Sequence, residues 1–433
     1  MINSLTIVSQ HCALNITLNL TSAEYLPMSL NALYVDFNSY FASVEQQLVP
    51  ELRGKPVGVL PLMAETTCCI AASYEAKKFG VKTGTGVRDA RKLCPDMVFV
   101  QARPPLYIEY HHKLIEIVES CTHVEKVLSI DEMVCKLTGS QQLKENALKL
   151  AAKIKRQINK QFEHIHCSIG IAPNTFLAKT ASNMQKPNGC VVIEPEDIPE
   201  KLYGLVPKNL TGIGKRMEQR LNHHGLTTMQ ALYAANKQQL RAVWGGVEGD
   251  RMYDKLRGIE IMRPDNERKS LGHSHVLPPE LRTRHGALSV LHRLLQKACM
   301  RLRSYNLRTS KVHVRIKFMN HPTWVIEANC SPTSNTLTIT HIFETLWTQY
   351  PTGKVIPQNV GISFSSFVNN QQYIVDLFET EIVEGDKKLN ATLDKLNSRY
   401  GKNTIYLGGA HNALYASQVK IAFNYVPDLI VED

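Results

Sequence analysis

The sequence predicts an α+β protein of several domains, the first of them built on a mixed sheet. Three observations lead there. Residues 33 to about 200 interleave short strand-like runs, one of them a hairpin, with periodic helices. Residues 202–258 are helical throughout, with short Gly-rich turns. A long helix and then a regularly alternating strand follow between residues 283 and 318, and 433 residues exceed what a single core usually serves.

Residues 1–27 show no periodicity and are expected to be poorly ordered or loosely docked. "ALYVDF" starts the ordered pattern: Leu33, Val35 and Phe37 alternate as in a half-buried strand, and a helix-like run follows Tyr40. "KPVGVL" reads as a strand, and "CCIAASYEAKKFG" passes from strand into a helix that stops at Gly80. "VEKVLSIDEMVCKLTG" reads as a hairpin turning near Asp131–Glu132. A periodic helix over "ENALKLAAKIKRQINKQF", the strand "HCSIGIA", the helix "NTFLAKTASNMQ", the loop "KPNG" and the strand "CVVI" complete this part. The polar segment 261–272 reads as a linker, and "TRHGALSVLHRLLQKACMRLRSYNL" as one helix. In "KVHVRIKF", Val312, Val314, Ile316 and Phe318 face one way; Lys311, His313, Arg315 and Lys317 face the other. After about Asn370 the chain reads as acidic and less regular.

Hydrophobic content of 43% and charged content of 21% fit an ordinary globular protein, and no apolar run approaches the roughly 20 residues that span a bilayer. No signal peptide is read at the start. Ten cysteines without a C-x-x-C pair suggest a reducing, cytoplasmic setting. The net charge of +11 is unevenly placed. Residues 201–320 hold 23 Lys and Arg against 8 Asp and Glu, an excess of +15, so the rest of the chain is slightly acidic. A polyanion partner held by the middle of the chain is expected.

Asp36 is the anomaly of the first strand. It either meets solvent or caps the next helix, or it joins the acids of "SIDE" (Ser129–Glu132) on adjacent strands and holds a metal. Clustered carboxylates repel unless cations neutralise them, and hard oxygen donors suit Mg²⁺. One difficulty stands: neighbours on a regular strand point to opposite faces, so Asp131 and Glu132 share a metal only if one lies in the turn. Phe41 reads as a core aromatic at a strand–helix junction. "TGIGKR" (Thr211–Arg216) looks like a helix–hairpin–helix, whose glycines Gly212 and Gly214 let backbone N–H groups face a phosphate beside Lys215 and Arg216; a plain helix connection uses glycine as well. The face Lys311/Arg315/Lys317 either tracks a duplex or is an ordinary solvent face. His273, His275 and the pair His223–His224 make no metal set and read as surface or linker.

"YVDFNSYFASVE", "SYEAKKFGVKTG", "LSIDE", "GIAPNTFLAKTASNMQKPNG" and "LTGIGKRMEQRL" stand in the order and rough spacing of the Y-family translesion DNA polymerases, and the chain resembles that family over about residues 30–370. The tail "LDKLNSRYGKNTIYLGG" is similar to the UmuC branch more than to the DinB branch. The resemblance implies a multi-domain right-hand polymerase with a mixed-sheet palm (28–40 and 100–198), small fingers (41–99), a helical thumb (199–260), a linker (261–272), an α/β little finger (273–370) and a UmuC-like tail (371–433).

It further implies that Asp36, Asp131, Glu132 and the Phe37 carbonyl hold two Mg²⁺, and that a primer 3′-hydroxyl attacks the α-phosphate of a dNTP; no motif resembles a proofreading nuclease, so synthesis alone is expected. Phe41 matches the gate that excludes a 2′-hydroxyl, and Tyr74, Lys77 and Lys186 match triphosphate contacts. Lys77 stands where the family commonly has Arg, and gives a point charge in place of a fork. Expected partners are primer-template DNA and dNTP. Further expected partners are a sliding clamp through "QYIVDLF" (Gln372, Leu377, Phe378), a segment that reads equally as a simple core strand, and a UmuD-type subunit and the recombinase filament. Two competing functions remain: a two-metal nuclease and a catalytically silent DNA-binding protein.

Overall fold

The computed structural model describes residues 29–261, 268–370, 380–401 and 403–416. The expected N-terminal extension and the residues Gln372, Leu377 and Phe378 lie outside the described residues. The chain divides into two compact units. One holds the described residues up to Gln101 and from His111 to 261; the other holds Ala102–Tyr110 and the described residues from 268 onward.

The first unit begins with β1 (Ala32–Phe37) and α1 (Tyr40–Leu48). It continues through β2 (Val57–Leu60), β3 (Ala71–Ala72), α2 (Tyr74–Lys78), α3 (Val87–Leu93) and β4 (Val98–Gln101). Next come α4 (Pro104–Glu119), which belongs to this unit from His111 onward, β5 (Val124–Ser129), β6 (Glu132–Lys136), α5 (Lys144–Gln161), β7 (Cys167–Ala172), α6 (Thr175–Met184) and β8 (Cys190–Val192).

Five strands form one sheet in the order β5-β6-β1-β7-β8, antiparallel except for the β7–β8 pair. β1 is central, which is why all six of its residues are buried, Asp36 included. On the neighbouring β7, Gly170 has no side chain for a physical reason: a Cβ there would fall 1.9 Å from the Ala178 carbonyl oxygen and 2.4 Å from the Ser182 nitrogen, so α6 lies with its backbone directly on the strand. The Asn174 side chain caps α6 by accepting from Leu177 N at 2.7 Å.

A smaller sheet, β3-β2-β4, packs a core of Leu60, Cys69, Ala72, Ala76, Val81, Val87 and Met97. Four short helices complete the unit: α7 (Lys215–His223), α8 (Met229–Ala234), α9 (Lys237–Trp244) and α10 (Val247–Leu256). Leu221, Met229, Leu240 and Leu256 share one buried cluster with Tyr34, Val134 and Leu177, so these helices and the five-stranded sheet have a common core.

In the second unit, β9 (Ser270–Val276), α11 (Arg284–Ser304), β10 (Leu307–Phe318), β11 (Trp324–Thr333), α12 (Thr336–Trp347) and β12 (Pro357–Asn369) follow in chain order. The four strands pair antiparallel as β11-β10-β12-β9. Val312, Val314, Ile316 and Phe318 point into the core, as their alternation predicts.

Three features differ from expectation. β9 starts at Ser270, inside the segment read as linker. His273 and His275 are strand residues on the inward side of β9, with Leu271; His275 is buried and His273 nearly so, where surface or linker was expected, because the strand period of two puts both on the core face. The described residues beyond Asn370 are also more regular than they read. α13 (Thr380–Tyr400) is held by a two-point bond from Arg303 Nε and Nη2 to the Asp394 carboxylate at 2.6 and 2.8 Å. The turn Gly408–Ala416 is tied to α11 through Arg293 and the Ala413 carbonyl. Such long-range bonds leave no local sequence signal.

Candidate active site

Asp36 is the fifth residue of β1, 5% exposed, and opposite Glu132 in the β1–β6 ladder. Residues opposite one another across an antiparallel pair share a face, so two acids nearly a hundred residues apart stand side by side. The expected conflict between Asp131 and Glu132 is resolved by the turn, which is one residue earlier than expected: Ile130 and Asp131 form it, and Glu132 opens β6 opposite Ser129. Asp131 is therefore outside the strand alternation. Its carbonyl accepts from Phe37 N at 2.8 Å, which brings it to the end of β1, and Ser129 Oγ donates to its Oδ1 at 2.5 Å.

Two lysines offset the three acids. Lys186 Nζ is 2.6 Å from Asp36 Oδ2, and Lys179 Nζ is 2.7 Å from Glu132 Oε2. Burial pushes the Asp36 carboxyl up to about 6, with Lys186 pulling the other way. Burial also holds Asp131 above the usual carboxylate range, against its bond from Ser129 and assisted by the Glu132 charge. The Tyr34 hydroxyl, buried next to Glu132, is held in its neutral form by burial and then by that carboxylate.

The group thus brings three carboxyl groups together with two lysine side chains. Among the described residues no three His, Cys, Asp or Glu side chains stand close enough to hold a metal as they are placed. The donor set is nevertheless all hard oxygen and net negative, which suits a divalent cation that draws Asp36 and Glu132 from their lysines.

Lys77 faces the same place. Its Nζ is 2.7 Å from Ser39 Oγ and 4.3 Å from the centre of the Tyr74 ring. Burial and the like charge of Lys186 lower its pKa, opposed by Asp36. Burial, then Asp36, pushes Tyr74 up to about 12. Tyr74, Lys77 and Lys186 are therefore all within electrostatic reach of one another or of Asp36. Phe41 is 4% exposed and its ring centre is 5.8 Å from that of Tyr40.

Several contributors carried no sequence signal strong enough to single them out. Asn38 is buried and accepts from Asn188 N at 2.7 Å while donating to Ser168 Oγ at 3.0 Å, which fixes the loop bearing Lys186. Ser39 adopts a left-handed backbone (φ 48°) and receives Lys77. Lys179 lies on α6, and Lys186 in the loop that follows it.

The remaining expected residues lie elsewhere. Gly212 has φ +88°, a backbone that favours glycine, and Lys215 and Arg216 are exposed at the start of α7. In the second unit Arg315 and Lys317 are exposed, whereas Lys311 is paired with Glu327 Oε1 at 2.5 Å, so this basic face is partly neutralised within the sheet. His223 and His224 are exposed, as expected.

Residues 35–183 match the impB/mucB/samB family, and residues 268–377 match the C-terminal domain of that family. DNA polymerase IV of Moorella thermoacetica is 33% identical over 386 residues, 86% of this chain and 94% of that protein. DNA polymerase IV of Pelotomaculum thermopropionicum is 32% identical, covering 86% and 93%.

The chain belongs to the Y-family of translesion DNA polymerases. A Y-family polymerase chimera of Dbh and Dpo4 superposes with a TM-score of 0.67 at 25% identity, over 79% of this chain and all of the chimera. DinB from Sulfolobus solfataricus gives 0.52, also at 25% identity, over 78% and 98%. This Y-family enzyme is a DNA-directed DNA polymerase with palm, fingers, thumb and little finger, and its class depends on divalent metal. Among the described residues no helix is long and apolar enough to cross a membrane.

Proposed function

We propose that Asp36, Asp131 and Glu132, with the Phe37 carbonyl, hold two Mg²⁺ beside a primer terminus, and that this chain adds dNTPs to a primer 3′-hydroxyl opposite damaged template bases. The observation that carries the reading is the Asp36–Glu132 cross-strand pair with Asp131 tied to the end of the same strand. Bound there, the ions would lower the pKa of the hydroxyl and neutralise charge on the phosphate oxygens. In this reading Tyr74, Lys77 and Lys186 grip the triphosphate, and the Phe41 ring leaves no room for a 2′-hydroxyl. Asn38 keeps Lys186 in reach by fixing its loop.

The proposed domain limits are palm 28–40 and 100–198, fingers 41–99, thumb 199–260, a linker from 261 that ends before β9, a little finger that starts at Ser270 and runs to 370, and tail 371–433. Gly212, Gly214, Lys215 and Arg216 would meet DNA phosphates through backbone N–H groups and charge, as would Lys311, Arg315 and Lys317. Such contacts are sequence-tolerant and salt-sensitive. The proposal extends to a cytoplasmic setting, a clamp contact through Gln372, Leu377 and Phe378, and the UmuD-type subunit and recombinase filament that the tail's likeness suggests.

Primer extension on damaged and undamaged templates tests it. Asp131→Asn is expected to abolish incorporation and leave DNA affinity nearly intact. Normal incorporation by that variant, or strand shortening in place of extension by the unaltered enzyme, refutes the assignment.

A further inference from the structure

Helix α4 carries a buried stripe at His111, Leu114 and Val118, in which the imidazole is the polar member. His111 is 1% exposed, and its Nδ1 lies 2.8 Å from the Ile130 carbonyl oxygen. A carbonyl only accepts, so Nδ1 carries the proton. Burial pushes the ring down to about 4, with the Ile130 bond opposing and His112 adding slightly, so the ring is neutral near pH 7 and presents that one N–H to the turn.

Ile130 and Asp131 are the two residues of the β5–β6 turn. The Ile130 carbonyl belongs to the peptide plane that enters Asp131, and the Asp131 carbonyl belongs to the plane that leaves it. The first is held by His111 from α4; the second is held by Phe37 N from β1 at 2.8 Å. Neither bond is part of the hairpin's own ladder. With both flanking planes fixed, φ and ψ of Asp131 are fixed, and so is the direction of its Cα–Cβ bond.

We infer that His111 is a positioning residue for polymerisation, aiming the Asp131 carboxylate by locking the Ile130–Asp131 peptide plane. The inference rests on Asp131 being one of the metal-holding acids. It distinguishes His111 from an ordinary core residue: the single donor matters here, and the ring volume does not.

Two variants separate these roles. His111→Asn places an amide N–H close to the position of Nδ1 with a smaller side chain; His111→Phe keeps the ring and removes the donor. Three quantities are measured on the full chain: kcat and KM for dNTP in primer extension, Mn²⁺ binding to metal-free protein by electron paramagnetic resonance, and thermal melting. His111→Phe is expected to lower kcat about tenfold, with KM for dNTP changed by no more than about twofold, and to weaken Mn²⁺ binding about tenfold. His111→Asn is expected to stay within about threefold of the unaltered enzyme in both. In an Asp131→Asn background, His111→Phe should cause no further loss of Mn²⁺ binding.

Phe equal to or better than Asn in kcat and Mn²⁺ binding overturns the inference, as does an undiminished effect of His111→Phe in the Asp131→Asn background. If His111→Phe does not give a cooperative melt, His111→Leu removes the donor with less bulk and is judged by the same ranking. An unaltered enzyme that neither extends primers nor binds Mn²⁺ would instead refute the metal-site reading itself.

Discussion

Replacing Lys179 by methionine keeps the length of the side chain and removes its charge. The ion pair it breaks, 2.7 Å from Glu132, is neither exposed nor sealed: the two side chains are 24% and 19% accessible. Breaking a buried pair costs about 3–5 kcal/mol and an exposed one about 0–1, so an intermediate pair should cost about 2 kcal/mol in metal-free protein. For a unit of this size that is a fall of roughly 4–8 °C in melting temperature. The three acids, offset by two lysines in the unaltered protein, would be left with Lys186 alone. A divalent cation should therefore stabilise Lys179→Met more than it stabilises the unaltered chain. Thermal melts with and without Mg²⁺ read both quantities. Metal-free melting within about 1 °C of the unaltered protein, or an equal Mg²⁺ shift in the two, would refute the electrostatic reasoning.

Asn38→Ala leaves Asn188 N without its acceptor and frees the loop that carries Lys186; KM for dNTP should rise about tenfold with a smaller change in kcat, measured by steady-state primer extension. His273 is pushed down to about 3 by burial and then by Lys297 and Arg301, below the ordinary value of 6.5. The unfolded chain then binds more protons between those values, so this group's contribution is full above pH 6.5 and is lost as pH falls toward 3. His273→Leu should flatten that acid limb by about 3 kcal/mol at pH 4 in denaturant titrations. Arg303→Met removes both bonds to Asp394 and should cost about 2 kcal/mol, seen as faster proteolytic cleavage within residues 388–401 while β9–β12 stay protected.

The legible parts of this molecule are those whose determinants are local. The alternation of Val312 to Phe318, the Asn174 cap and the apolar β1 are periodicities or short-range bonds that a sequence displays directly. The placement of Asp36 and Glu132 on one sheet was also foreseeable, because strand ends limit where an acid can go. Asp131 was harder. Its orientation depends on a turn one residue away from where the pattern suggested, and on donors from β1 and α4 that lie far off in the chain. The same holds for Lys179 and Asn38, whose partners are 47 and 150 residues distant. Two core-facing histidines on β9 read as surface because imidazole is ordinarily solvated, and nothing nearby announces that a sheet will cover it. α13 went unseen since its main anchor, Arg303, belongs to another helix.

Gly170 sets dimensions that no rotamer can adjust. With α6 seated backbone to backbone on β7, the distance from strand to helix is the thickness of two main chains, and both ammonium groups that answer the acids hang from that helix or the loop it leads into. A methyl at this position would act as a wedge, lifting the helix and loosening both charge pairs in a single movement. One hydrogen atom is thus the spacer on which the gauge of the catalytic neighbourhood depends, and side chains around it have more freedom to vary than it does.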